Sequence, residues 1–219
     1  MASAHHADGS GAVHVTRDGV DVIAHYGSVA AEIAVCTKAA GLIERPDLKQ
    51  ARLRGRDMFV DHALAAAMGD AAPAPGEARF VAGVWACRPE PARAMLAGPI
   101  RPIERWRAVI LRAAATTAIS IDVDAPPRAE AVSIIGPRAQ AVVEAAALPV
   151  AVAAGCVAEG RLGGSPVDLV HEESARYLLL FADGCSDGAW HELEEAGRPL
   201  GLAHVGQSAL DHLRASRTR

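Results

Sequence analysis

Apolar residues recur along this chain with two alternating periods, and the changes of period mark out its elements. The segments His14-Val15 and 20–23, split by the turn-like Asp18-Gly19, predict a hairpin. Ser28 is a natural N-cap for a helix carrying Val29, Ile33, Cys36 and Ala40, closed by Gly41. A strand over 50–54 ends at Gly55, and Asp57 caps a helix with Phe59, Val60, Ala63, Leu64 and Ala67 that stops at Gly69. Two prolines make 71–76 a loop. Residues 79–87 read as one strand, and 90–96 as a short helix begun by Pro89 and Pro91. A longer helix follows over 102–115, with Ile103, Trp106, Ile110 and Ala114 on one stripe, and then a strand over 117–123.

The second half repeats the scheme. A strand over 130–135 leads through Gly136-Pro137 into a helix over 139–147. Strands are expected at 152–159, 166–170 and 176–181, the first two joined by a turn at Gly163-Gly164. Asp187 caps a helix with Trp190, Leu193 and Ala196 that is stopped by Gly197, and 206–214 is the last helix. Leu53-Arg54-Gly55-Arg56-Asp57 and Ile134-Ile135-Gly136-Pro137-Arg138 each hand a strand over to an amphipathic helix, with their glycines 81 residues apart. A third strand-to-helix unit spans 177–196. Such units, separated by antiparallel strands, predict an α+β fold of duplicated ferredoxin-like halves with helices on one sheet face. The expected organisation is a disordered tail over 1–12 and a single domain over 13–216, with halves at about 26–125 and 126–216.

Composition narrows the function. At 219 residues the chain can bury a core without disulfides or metals. Its 22 basic and 26 acidic residues leave a net charge of −4, which excludes nucleic acid as the main partner. With 51% apolar and 22% charged residues it is not disordered by composition. No apolar run reaches the length of a membrane span, and the first residues show no basic and apolar regions of a secretion signal. A cytoplasmic setting is therefore expected. Cys36, Cys87, Cys156 and Cys185 match no metal-ligand spacing and are expected as free thiols.

Common chemical signatures are missing: no Walker loop, GxGxxG, HExxH or GxSxG occurs. The glycines of 155–164 read as a turn. His5-His6 stands in the tail. His171-Glu172-Glu173 follows a strand and has the residue types for acid–base work, or is a solvated turn. His191 and Glu195 are neighbours on a helix surface. Asp122 and Asp124 end a strand, and Glu44-Arg45-Pro46-Asp47 joins a helix to a strand; each can line a cleft or pair at the surface. Trp85, Trp106 and Trp190 can stack on a flat ligand, but two of them fall on core stripes. None of these names a reaction.

The C-terminal stretch does more. Ala196-Gly197, Gly201-Leu202, Gly206, Ala209-Leu210 and Leu213-Arg214 resemble, in order and spacing, the folate-binding domain of the aminomethyltransferase (glycine cleavage T-protein) superfamily. Ala30-Ala31-Glu32 with Gly41-Leu42-Ile43-Glu44-Arg45, the two strand-Gly-helix steps, and Tyr177-Leu178-Leu179-Leu180-Phe181 with Trp190 resemble further parts of that family in the same order. The likeness covers about 26–214 and implies the family's fold without its C-terminal barrel.

Departures shape what the resemblance implies. Family transferases carry an acidic hairpin with a catalytic aspartate, whereas 76–87 here is expected to run straight into Arg88-Pro89-Glu90, and no catalytic residue is assigned. Their Gly-Tyr-Thr-Gly-Glu loop corresponds to 164–177, which offers only Glu172-Glu173. Leu210-Asp211 replaces the transferases' Arg-Asp. A compact chain of this kind is most similar to the small gamma subunit of heteromeric sarcosine oxidase, a likeness shared by Arg45-Pro46-Asp47-Leu48. The resemblance implies a tetrahydrofolate site lined by Glu44, Trp85, Glu172, Glu173 and Tyr177, a role in one-carbon or methylamine metabolism, and a larger protein partner holding any flavin. Its alternatives are a stand-alone tetrahydrofolate-dependent methyl- or aminomethyl-transferase and a non-catalytic pseudoenzyme.

Overall fold

The computed structural model describes residues 11–149, 153–173 and 175–217. The expected tail lies almost wholly outside these residues, as does the start of the strand expected at 152–159. A separate hairpin comes first, β1 (Val13–Arg17) and β2 (Val20–His25), turning at Asp18-Gly19 as the sequence predicts. Ser28 caps α1 (Val29–Lys38) by accepting the Ala31 N–H. Then follow β3 (Ala40–Glu44), β4 (Lys49–Gly55), α2 (Asp57–Met68), β5 (Glu77–Val81), β6 (Val84–Glu90), β7 (Arg93–Gly98), α3 (Ile100–Thr117) and β8 (Ile121–Asp124). The remainder is β9 (Glu130–Ile135), α4 (Ala139–Ala145), β10 (Cys156–Leu162), β11 (Ser165–Glu173), β12 (Arg176–Phe181), α5 (Asp187–Gly197), a 3-10 turn (Arg198–Leu200), β13 (Leu202–His204) and α6 (Gln207–Arg217).

Eleven strands form one sheet in the order β13-β3-β9-β12-β11-β10-β5-β6-β7-β4-β8. One succession of elements occurs twice: strand, helix, hairpin, strand, helix, strand. It runs from β4 to β8 and again from β9 to β13. The strand neighbours correspond too, except that β3 lies between β9 and β13. The two runs meet where β5 pairs with β10 at Glu77 and Cys156.

Alternation along the strands sorts side chains into separate cores. Leu53, Leu96 and Val84 pack under α2 and α3 with Val60, Leu64, Trp106 and Ile110. Ile134, Leu179 and Phe181 pack under α4 and α5 with Val142, Trp190 and Leu193. The opposite faces meet each other. Ala78, Cys87, Met95 and Ala97 from one run form a core with Ala131, Val157, Val170, Leu178 and Leu180 from the other. The sheet therefore curls until its two halves face one another. α1 and α6 pack at one end against Ile43 and Ile135. These residues alternate with Leu42 and Ile134, so helices occupy both faces of the sheet, not one as expected.

Other expectations need correction. Residues 79–87 are not one strand: Ala82 and Gly83, at φ 50° and 85°, turn the chain into the β5–β6 hairpin. The hairpin expected to be missing is thus present, although its inward positions Ala78, Phe80, Trp85 and Cys87 carry no carboxylate. The helix expected over 90–96 is strand β7, held on both sides by β4 and β6. Gly41 does not close α1 but sits inside β3, where a Cβ would stand 2.6 Å from Cys36 Sγ and 2.8 Å from Val205 Cγ2. Its missing side chain lets α1 and the approach to α6 lie close on the sheet.

Candidate functional site at the two ends of the inter-sheet core

Strand β11 sets the site out. Asp168, Val170 and Glu172 alternate on its inward face, with Val170 in the shared core. An apolar centre therefore has a carboxylate at each end.

Asp168 marks the first end. Arg93 of β7 donates through Nη1 and Nη2 to both Asp168 oxygens at 2.9 Å, a bidentate pair that ties one half of the sheet to the other. The same guanidinium meets Glu90 at 3.2 Å and pairs with Glu159. Asp168 is 4% exposed, and burial raises its pKa above the ordinary 3.8 while Arg93 opposes the rise. On β4, Arg52 bonds Asp124 at 2.8 Å and faces Asp183 at 4.0 Å. Around these groups opens a cleft of about 550 Å³, to which Arg54 and Arg161 also contribute.

Glu172 marks the opposite end, together with Trp85. Pairing of β11 with β12 and of β6 with β7 puts Trp85 beyond Cys87 on the side away from Arg93. Trp85 packs on the rim of the shared core, its ring 5.2 Å from that of Phe80. Glu172 is half-buried and makes no hydrogen bond or ion pair. Cationic groups gather nearby. Arg45, 3% exposed, bonds Asp47 at 2.8 and 2.9 Å and Ser133 at 3.2 Å. Arg176 pairs with Glu173 at 2.7 Å and keeps a buried, unpartnered Nη2. Burial and the neighbouring Arg45 and Arg176 push the Arg214 guanidinium down, with Glu172 and Asp47 acting the other way. Cys87 lies between the two ends; burial, then Asp168 and Glu172, drive its thiol well above the usual range.

The residues expected to line one site divide. Trp85 and Glu172 come to the same end of the interior. Glu173 is there too, engaged with Arg176. Tyr177 points to the other face, 1% exposed in the core under α4 and α5, its ring stacked at 4.5 Å on His171. It thus lies on the face of the sheet opposite Glu172 and Trp85. Glu44 is likewise on that face, where its charge and that of Glu32 add to burial in raising Tyr26 to about 12. Trp106 and Trp190 are core residues, Asp124 serves Arg52, and Glu195 pairs with Arg198. His5-His6 lies outside the described residues, among which no group of three or more His, Cys, Asp or Glu could hold a metal. The Arg93–Asp168 pair was not foreseen. Its one sequence signal is Asp168 at an inward position of an apolar strand.

No family model matches the chain, and no curated protein sequence does. Solved structures do. The aminomethyltransferase T of the glycine cleavage system from Bartonella henselae superposes with a TM-score of 0.77 over 94% of this chain at 20% identity. The chain has the aminomethyltransferase fold. It spans 58% of the length of that protein. One chain of the heterotetrameric sarcosine oxidase from Corynebacterium sp. U-96, solved with pyrrole 2-carboxylate, superposes with a TM-score of 0.61 over 80% of this chain and 93% of its own length, at 21% identity. The large curled sheet, expected from sequence as an α+β aminomethyltransferase-like architecture, is what these structures share with it. No described helix is long and apolar enough to cross a membrane.

Proposed function

We propose that this chain binds a reduced folate at the Glu172 end of the inter-sheet core and serves one-carbon metabolism as the smaller member of a protein complex. The observation that carries the reading is the Glu172 carboxylate, inward-facing and without a hydrogen bond or ion pair, beside the half-buried Trp85 ring within the aminomethyltransferase fold. The residues fit the group. A carboxylate accepts paired N–H donors such as those on a pterin edge, and an indole covers the face of a flat heterocycle. Arg45, Arg176 and Arg214 gather at this end of the interior, where Arg214 feels the charge of Glu172. Bound tetrahydrofolate would supply the one-carbon carrier. This chain's part is to bind and orient it, since the inward positions of the β5–β6 hairpin offer no carboxylate to move a proton. A partner is supported by the heterotetrameric neighbour and by the exposed Met58, Phe80 and Leu111. In this reading the chain is cytoplasmic and any flavin belongs to the partner.

The test is titration of the full chain with 5-formyltetrahydrofolate, read by calorimetry and by quenching of Trp85. Saturable binding is expected, weakened about tenfold or more in Glu172→Gln, which loses a charge-assisted acceptor worth about 1.5–3 kcal/mol. Equal affinity of Glu172→Gln and the parent chain would refute the assignment.

A further inference from the structure

A helical layer lies outside each half of the curled sheet, and the two layers carry opposite charge. Outside the run from β4 to β8, Ile103, Trp106, Ile110 and Ala114 turn α3 inward. At 3.6 residues per turn, Arg101, Arg105 and Arg112 fall on the opposite ridge, and all three are exposed. Among the described residues none of the three meets a carboxylate or donates a side-chain hydrogen bond. The single carboxylate of α3, Glu104, is held by Arg107 at 3.0 Å. Those of α2, Asp57 and Asp61, are turned to the buried Arg88. Arg56, Arg88 and the four arginines of α3 thus exceed the carboxylates of this layer by three. Outside the run from β9 to β13 the sign reverses. Ala189, Trp190 and Leu193 turn α5 inward, and Asp187, Glu192 and Glu195 stand exposed. No Lys or Arg lies within Asp187–Gly197. With Glu144 and Glu194 this layer has five carboxylates against Arg138 and Arg198. Counting Arg161 of the adjoining hairpin, which donates to the Gly164 carbonyl, still leaves an excess of two.

We infer that copies of this chain dock head to tail through these layers, the α3 ridge of one copy on α5 of the next. The two halves meet through their inner faces, so the layers point apart and do not meet within one chain. Arg101 to Arg112 spans about 16 Å along α3, and Asp187 to Glu195 about 12 Å along α5. With the helices antiparallel, Arg112, Arg105 and Arg101 pass Asp187, Glu192 and Glu195 in that order, a mismatch that long arginine stems absorb. Ala108 leaves the middle of the ridge low. Glu192 already accepts the Gly163 N–H, and Glu195 pairs with Arg198. A carboxylate has about four lone-pair sites, so each can accept a further guanidinium. An anionic polymer or bilayer would meet the α3 ridge but be repelled by a chain of net charge −4. A second copy answers both layers. The contact joins unlike surfaces, so each added copy leaves one layer of each sign free at the ends. It uses neither the folate site nor a larger partner.

Light scattering from the full chain tests this. At about 1 mM protein in about 0.01 M salt the mass should exceed the 22.7 kDa of one chain, and it should fall back in about 1 M salt, where the Debye length is about 3 Å. Two variants each remove one surface: Arg101→Gln with Arg105→Gln and Arg112→Gln, and Asp187→Asn with Glu192→Gln and Glu195→Gln. All six positions are exposed, and circular dichroism checks the folding. Each variant alone should stay at the mass of one chain. Their equimolar mixture should stop at twice that mass, because only the α3 of one and the α5 of the other are intact. A parent chain that keeps the one-chain mass in low salt would overturn the proposal, as would a mass that does not fall in high salt or a mixture that stays monomeric. Association lost with α3 neutralised but kept with α5 neutralised would put another acidic surface opposite α3 and overturn it too. A failed folate titration leaves these outcomes unaffected.

Discussion

Replacing Arg93 by Met tests whether the two faces of the curled sheet are held by charge as well as by apolar contact. Arg93 and Asp168 are 14% and 6% exposed in their side chains and share two 2.9 Å bonds. Methionine keeps most of the aliphatic stem, so the loss falls on the pair. Removing one partner of a buried ion pair costs about 3–5 kcal/mol, because the other charge is left unsatisfied. We expect about 3 kcal/mol here, since Glu90 and Glu159 are exposed and water reaches the cleft. For a chain of this size that lowers Tm by roughly 6–12 °C. The pH dependence fixes the cause. Asp168 titrates above the ordinary 3.8 in the folded chain, so its ionised form opposes folding, and stability falls as pH rises through that window. Without Arg93 the window widens upward. The deficit of Arg93→Met relative to the parent should be full at pH 7 and shrink as pH falls towards 3.8 and Asp168 takes up its proton. Urea unfolding of both chains across this range measures it, and Asp168→Asn in a double-mutant cycle isolates the pair. A deficit under about 1 kcal/mol at pH 7, or one that does not change with pH, would refute the reasoning.

Three further outcomes are expected. Buried Glu32 accepts the Tyr26 N–H at 2.5 Å and the Gly206 N–H at 2.8 Å, so Glu32→Ala should cost about 3 kcal/mol and abolish exchange protection of both amides. In Gly206→Ala the new Cβ would lie 2.2 Å from the Ala24 carbonyl oxygen, and about 1–3 kcal/mol should be lost as the β1–β2 hairpin is pushed off α6; an unchanged Tm would contradict this packing. Burial raises Cys36 and Cys185 to about 12 and Cys87 well above its usual value, so a thiol reagent at pH 8 should modify Cys156 first and the others only on unfolding.

Much of the fold was legible because its elements carry ordinary signals. Ser28, Gly69 and the short apolar-rich stretches over 130–135 and 176–181 bound α1, α2, β9 and β12 as expected. What escaped has physical reasons. Phe80-Val81-Ala82-Gly83-Val84 turns without the polar residue that usually marks a tight hairpin. Residues 90–96 hold good helix formers behind two prolines, but their pairing with β4 and β6 outweighs local preference. β3 and β13 are short, and their partners are distant in sequence. The site shows the same division. Of the residues the family likeness picks out, Glu172 and Trp85 share one end of the interior, while the parity of β12 puts Tyr177 on the opposite face. Arg93 and Asp168 become partners only when the sheet closes on itself.

The place of β3 bears on how the chain acquires its shape during synthesis. This strand is made before both of its partners, β9 and, in parallel, β13, which follow it by about 90 and 160 residues. The stretch from β4 to β8 can meanwhile complete its own ladder and roof of two helices. Leu42, whose packing partners outside β3 all lie in β9 and beyond, must wait uncovered until those elements have emerged. A stalled or shortened product would consequently hold one finished half and one adhesive strand, and that strand is where a chaperone would be needed.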